Sequence, residues 1–309
     1  MTERSAPRVP RGAAKGARAA RRAAPRAGKV TERSDGRSHA RTCALVGPGR
    51  AGTAVAIALV DAGWSVVRVA GRTRDAAAVT AVAARFGADA VDLADAGRGV
   101  RLVVIATPDA RVHDAAQAIA DGLESGALVI HLAGALGLDA LAPLATTRRD
   151  VELGALHPLQ TLPSPEIGAA RIAGSWAAVA GPPAVRELAA ELGMTPFDVA
   201  DAHRAGYHAA ASVASNHVTA LLGQVERIAS IAGVPLAAFE PLVRSTVDNC
   251  FAIGPAAALT GPVARGEIET VLRHLAAVAA DEQRAYRALA AAAADLAGRA
   301  DPQLRDLLA

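Results

Sequence analysis

The sequence predicts an α/β domain followed by an all-α domain, both behind a basic, disordered tail. Three observations carry that expectation. From residue 42 to about 200, apolar runs of strand length alternate with stretches of helical spacing. From about Ala202 the strand signals stop and only helical spacing continues. Residues 1–41 hold 12 Lys/Arg against three acids among Ala, Pro and Gly, with too little apolar surface to fold. The expected division is a tail over 1–40, an α/β domain over 41–200 and a helical domain over 201–309.

The charge belongs to the tail. Its +9 against an overall +3 leaves residues 42–309 at −6, so the globular part is acidic and nucleic acid is not an expected partner. The tail itself has three open readings: an interaction arm, a targeting peptide, or a segment ahead of the true start. The last rests on "MTERS" at 1–5 recurring as "VTERS" at 30–34, which leaves Val30 as an alternative start. Cys43 and Cys250 cannot build a disulfide framework, and no apolar stretch approaches the roughly 18–20 residues of a membrane span. A cytoplasmic protein without membrane contact is the simplest expectation.

The first element is a strand over 43–46, followed by a helix over 51–60 and a second strand. Between strand and helix, Gly47, Gly49 and Gly52 form G-x-G-x-x-G. Gly47 permits the tight turn, Gly49 lets backbone approach a pyrophosphate, and Gly52 lets helix and strand pack closely. The turn residues Gly47, Pro48, Gly49, Arg50, Ala51 and Gly52 are the expected phosphate cradle of a Rossmann dinucleotide site, with the helix N-terminus facing the phosphates. About 20 residues past the last glycine, an NAD site places a carboxylate on the ribose. Here stand Gly71, Arg72, Thr73 and Arg74, so a 2′-phosphate fits better and NADP(H) is the expected cofactor.

The next strand, over 101–112, ends in Thr107-Pro108-Asp109, and another over 126–136 ends near His131 and Gly134. Ligands of open α/β sheets lie beyond the carboxyl ends of the strands, so Thr107 and Pro108 should face the nicotinamide. A strand over 151–156 runs into "HPLQT", which sets His157 and Gln160 at another carboxyl end. A strand over 176–179, a helix over 183–193 and a short strand over 197–199 complete the α/β part.

A helix over 205–232 then carries His208, Ser212, Ser215, Thr219 and Glu226 in one narrow sector, with Asn216 at its edge. Small hydroxyls, an amide and an imidazole suit the lining of a cavity better than a solvated face. Thr260-Gly261-Pro262 reads as a turn before a long helix from about Gly266. Arg265, just ahead of it, is a candidate for a bidentate grip on a substrate carboxylate. The histidines show no metal-ligand spacing, and neither a G-x-S-x-G nor a P-loop lysine is present.

These stretches together resemble a superfamily that joins an N-terminal NADP-binding Rossmann domain to a helical domain. Ketopantoate reductases, pyrroline-5-carboxylate reductases, hydroxyisobutyrate dehydrogenases and prephenate dehydrogenases belong to it. The nearest resemblance is to its Rossmann-like plus "domain of unknown function 2520" branch. It is carried by residues 47–52, "GALHPLQT" (154–161), "YHAAASVASNHVTAL" (207–221) and "LTGPVARGE" (259–267). The resemblance implies hydride transfer between NADP(H) and a small substrate, and a homodimer formed through the helical domain.

The resemblance also has a missing part. Some members use a helical-domain lysine as proton donor, but this chain holds only Lys15 and Lys29, both in the tail. Ala211 stands where that lysine would be, and Ser215 at the asparagine that follows it. "HPLQ" is similar to the His-Pro motif of prephenate dehydrogenases, which makes His157 the expected proton donor, since an ordinary imidazole titrates near ~6.5. Asn216, Ser212, Ser215 and His208 are expected to orient the reacting carbonyl. Gln160, Arg265 and Thr219 are expected to hold the substrate, with Arg265 on a carboxylate. The leading expectation is an NADP-dependent reductase of a small, ketopantoate-like 2-oxo acid or related carbonyl. A prephenate- or arogenate-type dehydrogenase and a non-catalytic NADP(H) sensor stay open beside it.

Overall fold

A computed structural model describes residues 41–309 except Ala300. The tail expected over 1–40 lies outside the described residues. Among those described, no helix is long and apolar enough to cross a membrane.

Eight strands form one sheet: β1 (Thr42–Val46), β2 (Ser65–Ala70), β3 (Asp89–Val91), β4 (Leu102–Ile105), β5 (Leu128–His131), β6 (Glu152–Leu159), β7 (Trp176–Ala180) and β8 (Thr195–Asp198). Their order is β3-β2-β1-β4-β5-β6-β7-β8. The first six are mutually parallel in the doubly wound order 3-2-1-4-5-6, whereas β7 pairs antiparallel with β6 and parallel with β8. Six helices cover this sheet: α1 (Arg50–Asp61), α2 (Ala77–Phe86), α3 (Val112–Ile119), α4 (Ala142–Thr147), α5 (Pro165–Ile172) and α6 (Pro183–Glu191).

The strands read as unbroken apolar runs because both faces are buried. On β1, Cys43 and Leu45 join the core under α1 and α2, while Ala44 and Val46 join the one under α3 and α4. Small residues set the helix spacing. A Cβ on Gly168 of α5 would stand 2.9 Å from the Ala54 Cβ of α1, so the two helices meet at a glycine. α5 starts where Ser164 caps it, its hydroxyl accepting the Ile167 N–H, with Pro165 preset for the first turn.

Only helices follow β8: α7 (Arg204–Ser212), α8 (Val218–Ser230), α9 (Glu240–Ile253), α10 (Pro255–Ala258), α11 (Pro262–Arg265), α12 (Ile268–Ala277), α13 (Ala280–Leu296) and α14 (Pro302–Leu308). α12, α13 and α14 enclose a small core of Val271, Leu275, Ala290, Ala294, Leu304 and Leu308. By contrast α9 buries none of its residues.

Two expectations need correction. The helix expected over 205–232 is interrupted, because Val213–His217 forms a π-helical turn between α7 and α8. The helix expected from Gly266 begins at Ile268 instead. Gly266 sits at φ +73° in the left-handed region and terminates α11, so it separates two helices rather than opening one.

Leu102 in central β4 is fully buried. Leu102→Ala is expected to cost about 2–5 kcal/mol, read as a lower urea midpoint at unchanged m-value.

Candidate active site

Each glycine of the first turn has its own reason. Gly47 adopts φ +93°, and a Cβ there would lie 2.7 Å from the Thr107 nitrogen. A Cβ on Gly52 would lie 2.6 Å from the Gly47 carbonyl oxygen and 2.7 Å from the Ala106 Cβ. Gly49 differs: nothing stands within 4 Å of its missing Cβ, and it caps α1 with no side chain bonded to the helix end. The N-terminus of α1 is therefore bare of side-chain acceptors and its first turn carries no acid, which suits a pyrophosphate.

The loop after β2 stands beside this turn, since Val46 and Ala70 are register partners and the Gly47 N–H donates to the Ala70 carbonyl. Arg72 and Thr73 are exposed there, and Arg74 makes only a 3.8 Å contact with exposed Asp75. Residues 71–74 contain no carboxylate to repel a 2′-phosphate. Thr107 follows β4 with its Oγ1 buried and without a hydrogen-bond partner among the described residues, and exposed Pro108 begins the next turn. The donor-rich turn and the acid-free loop fit NADP(H).

His157 owes its position to strand lengths. β5 pairs with β6 only as far as His131 against Ala155, whereas β6 continues to Leu159 along antiparallel β7. His157 therefore projects past the carboxyl edge of the parallel sheet. Pro158 lies on that overhang, past the end of the β5 ladder.

Opposite stands α7. Tyr207 Oη is 2.8 Å from His157 Nδ1, and the rings of Tyr207 and His208 each stand edge-on to the His157 ring with centroids 5.6 Å away. Gly134, after β5, lies against this cluster: a Cβ there would come within 2.5 Å of His208 Cδ2 and 2.8 Å of His157 Nε2.

A cleft of about 550 Å³ opens between the β6 overhang and the α7–α8 helix, and His157, Gln160, His208, Ser212, Ser215 and Asn216 all line it with Tyr207. The π turn carries Ser215 and Asn216; Ser215 Oγ lies 2.9 Å from the Ala211 carbonyl and 3.3 Å from Asn216 Oδ1. Two expected substrate residues are not brought in. Thr219 bonds back to the Ser215 carbonyl at 3.0 Å and does not line the cleft. Arg265, exposed at the end of half-buried α11, is also outside the lining, and its guanidinium is held by Glu267.

Electrostatics change the role expected of His157. Burial, followed by the charges of His208, Arg204 and His131, pulls its pKa down to about 4. The imidazole is neutral at physiological pH, so donation by an imidazolium titrating near 6.5 does not describe this site. Burial pushes Tyr207 up to about 12, with Arg204 opposing, so the phenol keeps its proton and can donate it to an Nδ1 that carries none. The remaining hydrogen of His157 is then on Nε2. His131 is fully buried at the end of β5; its Nε2 lies 3.1 Å from the Gly137 carbonyl, and burial lowers its pKa.

Sequence reasoning missed Tyr207 and Arg204. Their only signal is spacing: Arg204, Tyr207 and His208 stand at i, i+3 and i+4, one helical face.

Comparison with known proteins agrees with this architecture. Residues 28–158 match a Rossmann-like domain and residues 177–293 match a domain of unknown function, DUF2520. No curated protein matches the sequence. Among solved structures, a Bacteroides fragilis protein named as a candidate NADP oxidoreductase superposes with a TM-score of 0.70 at 22% identity, covering 82% of this chain and 98% of its own. Protein TM1727 from Thermotoga maritima gives 0.64 at 19%, covering 83% and 99%. Pyrroline carboxylate reductase from Plasmodium falciparum, solved with NADP bound, gives 0.56 at 12%, covering 87% and 98%. At these identities the likeness establishes a shared fold. The chain thus joins a region that matches a Rossmann-like domain to one that matches DUF2520.

Proposed function

We propose that the protein is an NADPH-dependent reductase of a small carbonyl compound, a 2-oxo acid of the ketopantoate kind being the best fit. The observation that carries this reading is a neutral His157 held on Nδ1 by Tyr207, at the carboxyl edge of a sheet whose glycine turn suits a dinucleotide. The named relatives lend support: a reductive aminase of the same fold from Aspergillus terreus was solved with NADPH and ethyl levulinate, a small keto ester.

NADPH, held by residues 47–52 and by Arg72 and Thr73, would supply hydride to the carbonyl carbon. The chain supplies the proton. His157 Nε2–H donates to the carbonyl oxygen while Nδ1 takes the hydrogen of Tyr207 Oη; afterwards the phenolate takes back the Nδ1 hydrogen and water returns a proton to Nε2. The imidazole thus passes from one neutral tautomer to the other and needs no imidazolium. Asn216, Ser212, Ser215 and His208 orient the carbonyl from the helix side, and Gln160 does so from the overhang. With no lysine among residues 42–309, this pair replaces the amine donor.

The reading includes a homodimer. α9 buries nothing: Phe251 is 89% exposed with Val247 one turn before it on the same face, and Leu242 and Ile253 are exposed on the other side of the helix. Below it, Leu222, Phe239, Val243 and Val247 line an apolar groove. A patch of this kind on a single chain marks an association surface, and the face of a second copy is self-complementary to it under twofold symmetry.

Oxidation of NADPH at 340 nm against 2-oxo acids and cyclic imines, with NADH in parallel, tests the reading. Turnover is expected to favour NADPH and to fall about 10²–10⁴-fold in His157→Gln, with NADPH affinity nearly unchanged. Tight NADPH binding without turnover on any carbonyl would make the protein a cofactor-binding sensor instead.

The depressed pKa of His157 has two consequences. Turnover should stay level from pH 8 to pH 6, where an imidazole titrating at 6.5 would give a falling limb. As pH drops, the unfolded chain binds a proton near 6.5 and the folded one only near 4. The stability contribution is therefore intact above 6.5 and lost between 6.5 and 4, and His157→Gln should flatten that part of the pH–stability curve.

Phe251→Asp places a charge in the proposed contact. Light scattering should then report a monomer at concentrations where the unsubstituted chain is a dimer.

A further inference from the structure

Arg204 is unexplained by the roles above. It is the largest fully buried side chain, its side chain is 0% exposed, and Nε, Nη1 and Nη2 all lack a hydrogen-bond partner among the described residues. Asp201 Oδ1 lies 3.5 Å from Nε, but the other oxygen of this half-exposed carboxylate is taken by the Leu138 N–H. A guanidinium offers five donors in a planar fork. Sealing all of them from water against one distant carboxylate oxygen is among the costlier arrangements in a protein.

Arg204 does not itself line the cleft, but it stands directly behind residues that do. Arg204 opens α7, and Tyr207 and His208, three and four residues on, line the cleft. Its charge acts on Tyr207, His157 and His131. Two more orphaned polar atoms stand at the neighbouring strand ends: Thr107 Oγ1 after β4, and His131 Nδ1 closing β5. The ends of β4 and β5 are adjacent, because Ile105 and His131 are register partners. A buried cation without acceptors, close enough to His131 and His157 to act on both, is the feature an anion would satisfy. Only Asp109 and Asp201 oppose that charge at His131.

We propose that Arg204, which is enclosed and lies one helical turn behind the cleft-lining Tyr207 and His208, receives the carboxylate of the substrate, the role that Arg265, occupied by Glu267, does not fill. This deepens the reductase reading and rests on it. A 2-oxo acid carries its carboxylate one bond from the carbonyl carbon, so the group held by Arg204 sets which carbonyl reaches His157. A bidentate grip from a planar guanidinium also fixes the plane of the acid, which an ammonium could not do.

Calorimetric titration of the full chain, with and without saturating NADPH, tests this with oxamate and oxamide as probes. They share a skeleton and differ in one carboxylate. Oxamate should bind at least about tenfold more tightly than oxamide, the low end for a charge-assisted hydrogen bond. Arg204→Met should bring oxamate down to the level of oxamide while NADPH affinity stays. Should Arg204→Met not fold, Arg204→Gln, which keeps polar reach without charge, is read the same way. Equal binding of the two probes, undiminished oxamate binding in the variant, or a parallel loss of NADPH affinity each overturns the assignment. Reduction of neutral ketones or imines beside such a result would leave the reductase reading standing. A chain that binds no NADPH overturns both.

Discussion

β6 outruns β5, and the site depends on that overhang. Beyond Ala155 the parallel ladder on one side has ended, and antiparallel β7 alone carries the strand through His157 to Leu159. A wholly parallel sheet would have stopped at one common edge, leaving a histidine in this register buried like His131, which ends β5 fully enclosed. The reversal of β7 thus converts one strand end into a wall of the cleft. The hydrogen bond between Tyr207 and His157 then ties that wall to α7. This contact of 2.8 Å occupies Nδ1 and leaves Nε2 as the nitrogen that can face a ligand.

The charges around this contact explain one another. His131, His157, His208 and Arg204 crowd a buried region where only Asp109 and Asp201 offset them. Burial and mutual repulsion leave His157 without its proton, and Arg204 resists loss of charge because a guanidinium hardly titrates. The positive charge is thereby concentrated on one side chain, while the imidazole stays neutral and free to exchange hydrogens at both nitrogens. A site built this way separates holding an anion from moving a proton. The same guanidinium opposes the rise in the Tyr207 pKa, so it also eases release of the phenolic hydrogen.

What the sequence could disclose followed from how local the cause was. The glycine turn was legible because each glycine answers to its own backbone: a left-handed φ at Gly47, an open approach at Gly49 and a carbonyl contact at Gly52. The cleft side of the helix was legible from its polar sector, which led to His208, Ser212 and Ser215. Arg265 was not, because an arginine before a helix looks the same whether it meets a ligand or Glu267 two residues on. The helix expected from Gly266 failed on a glycine that stops α11 rather than starting α12. Arg204 and Tyr207 were invisible for a different reason. Their roles arise from β4, β5 and β6, far away in the chain, and periodicity reports which face a residue is on, not what stands opposite.

The π turn at Val213–His217 completes the logic of the missing lysine. An extra residue in one turn shifts everything after it around the helix axis, so Asn216, which α-helical spacing sets at the edge of the polar sector, lines the cleft with Ser215. A long cationic side chain at Ala211 would fill the space that these short groups leave open, within reach of Arg204 and two imidazoles. Repulsion there would drive its pKa down or expel it from the cleft. On the proposed reading, with Arg204 holding an anion on the same helix, a neutral donor is the one that fits. A histidine on the opposite wall, supplied with hydrogen by a phenol, is a donor that this electrostatic setting can tolerate.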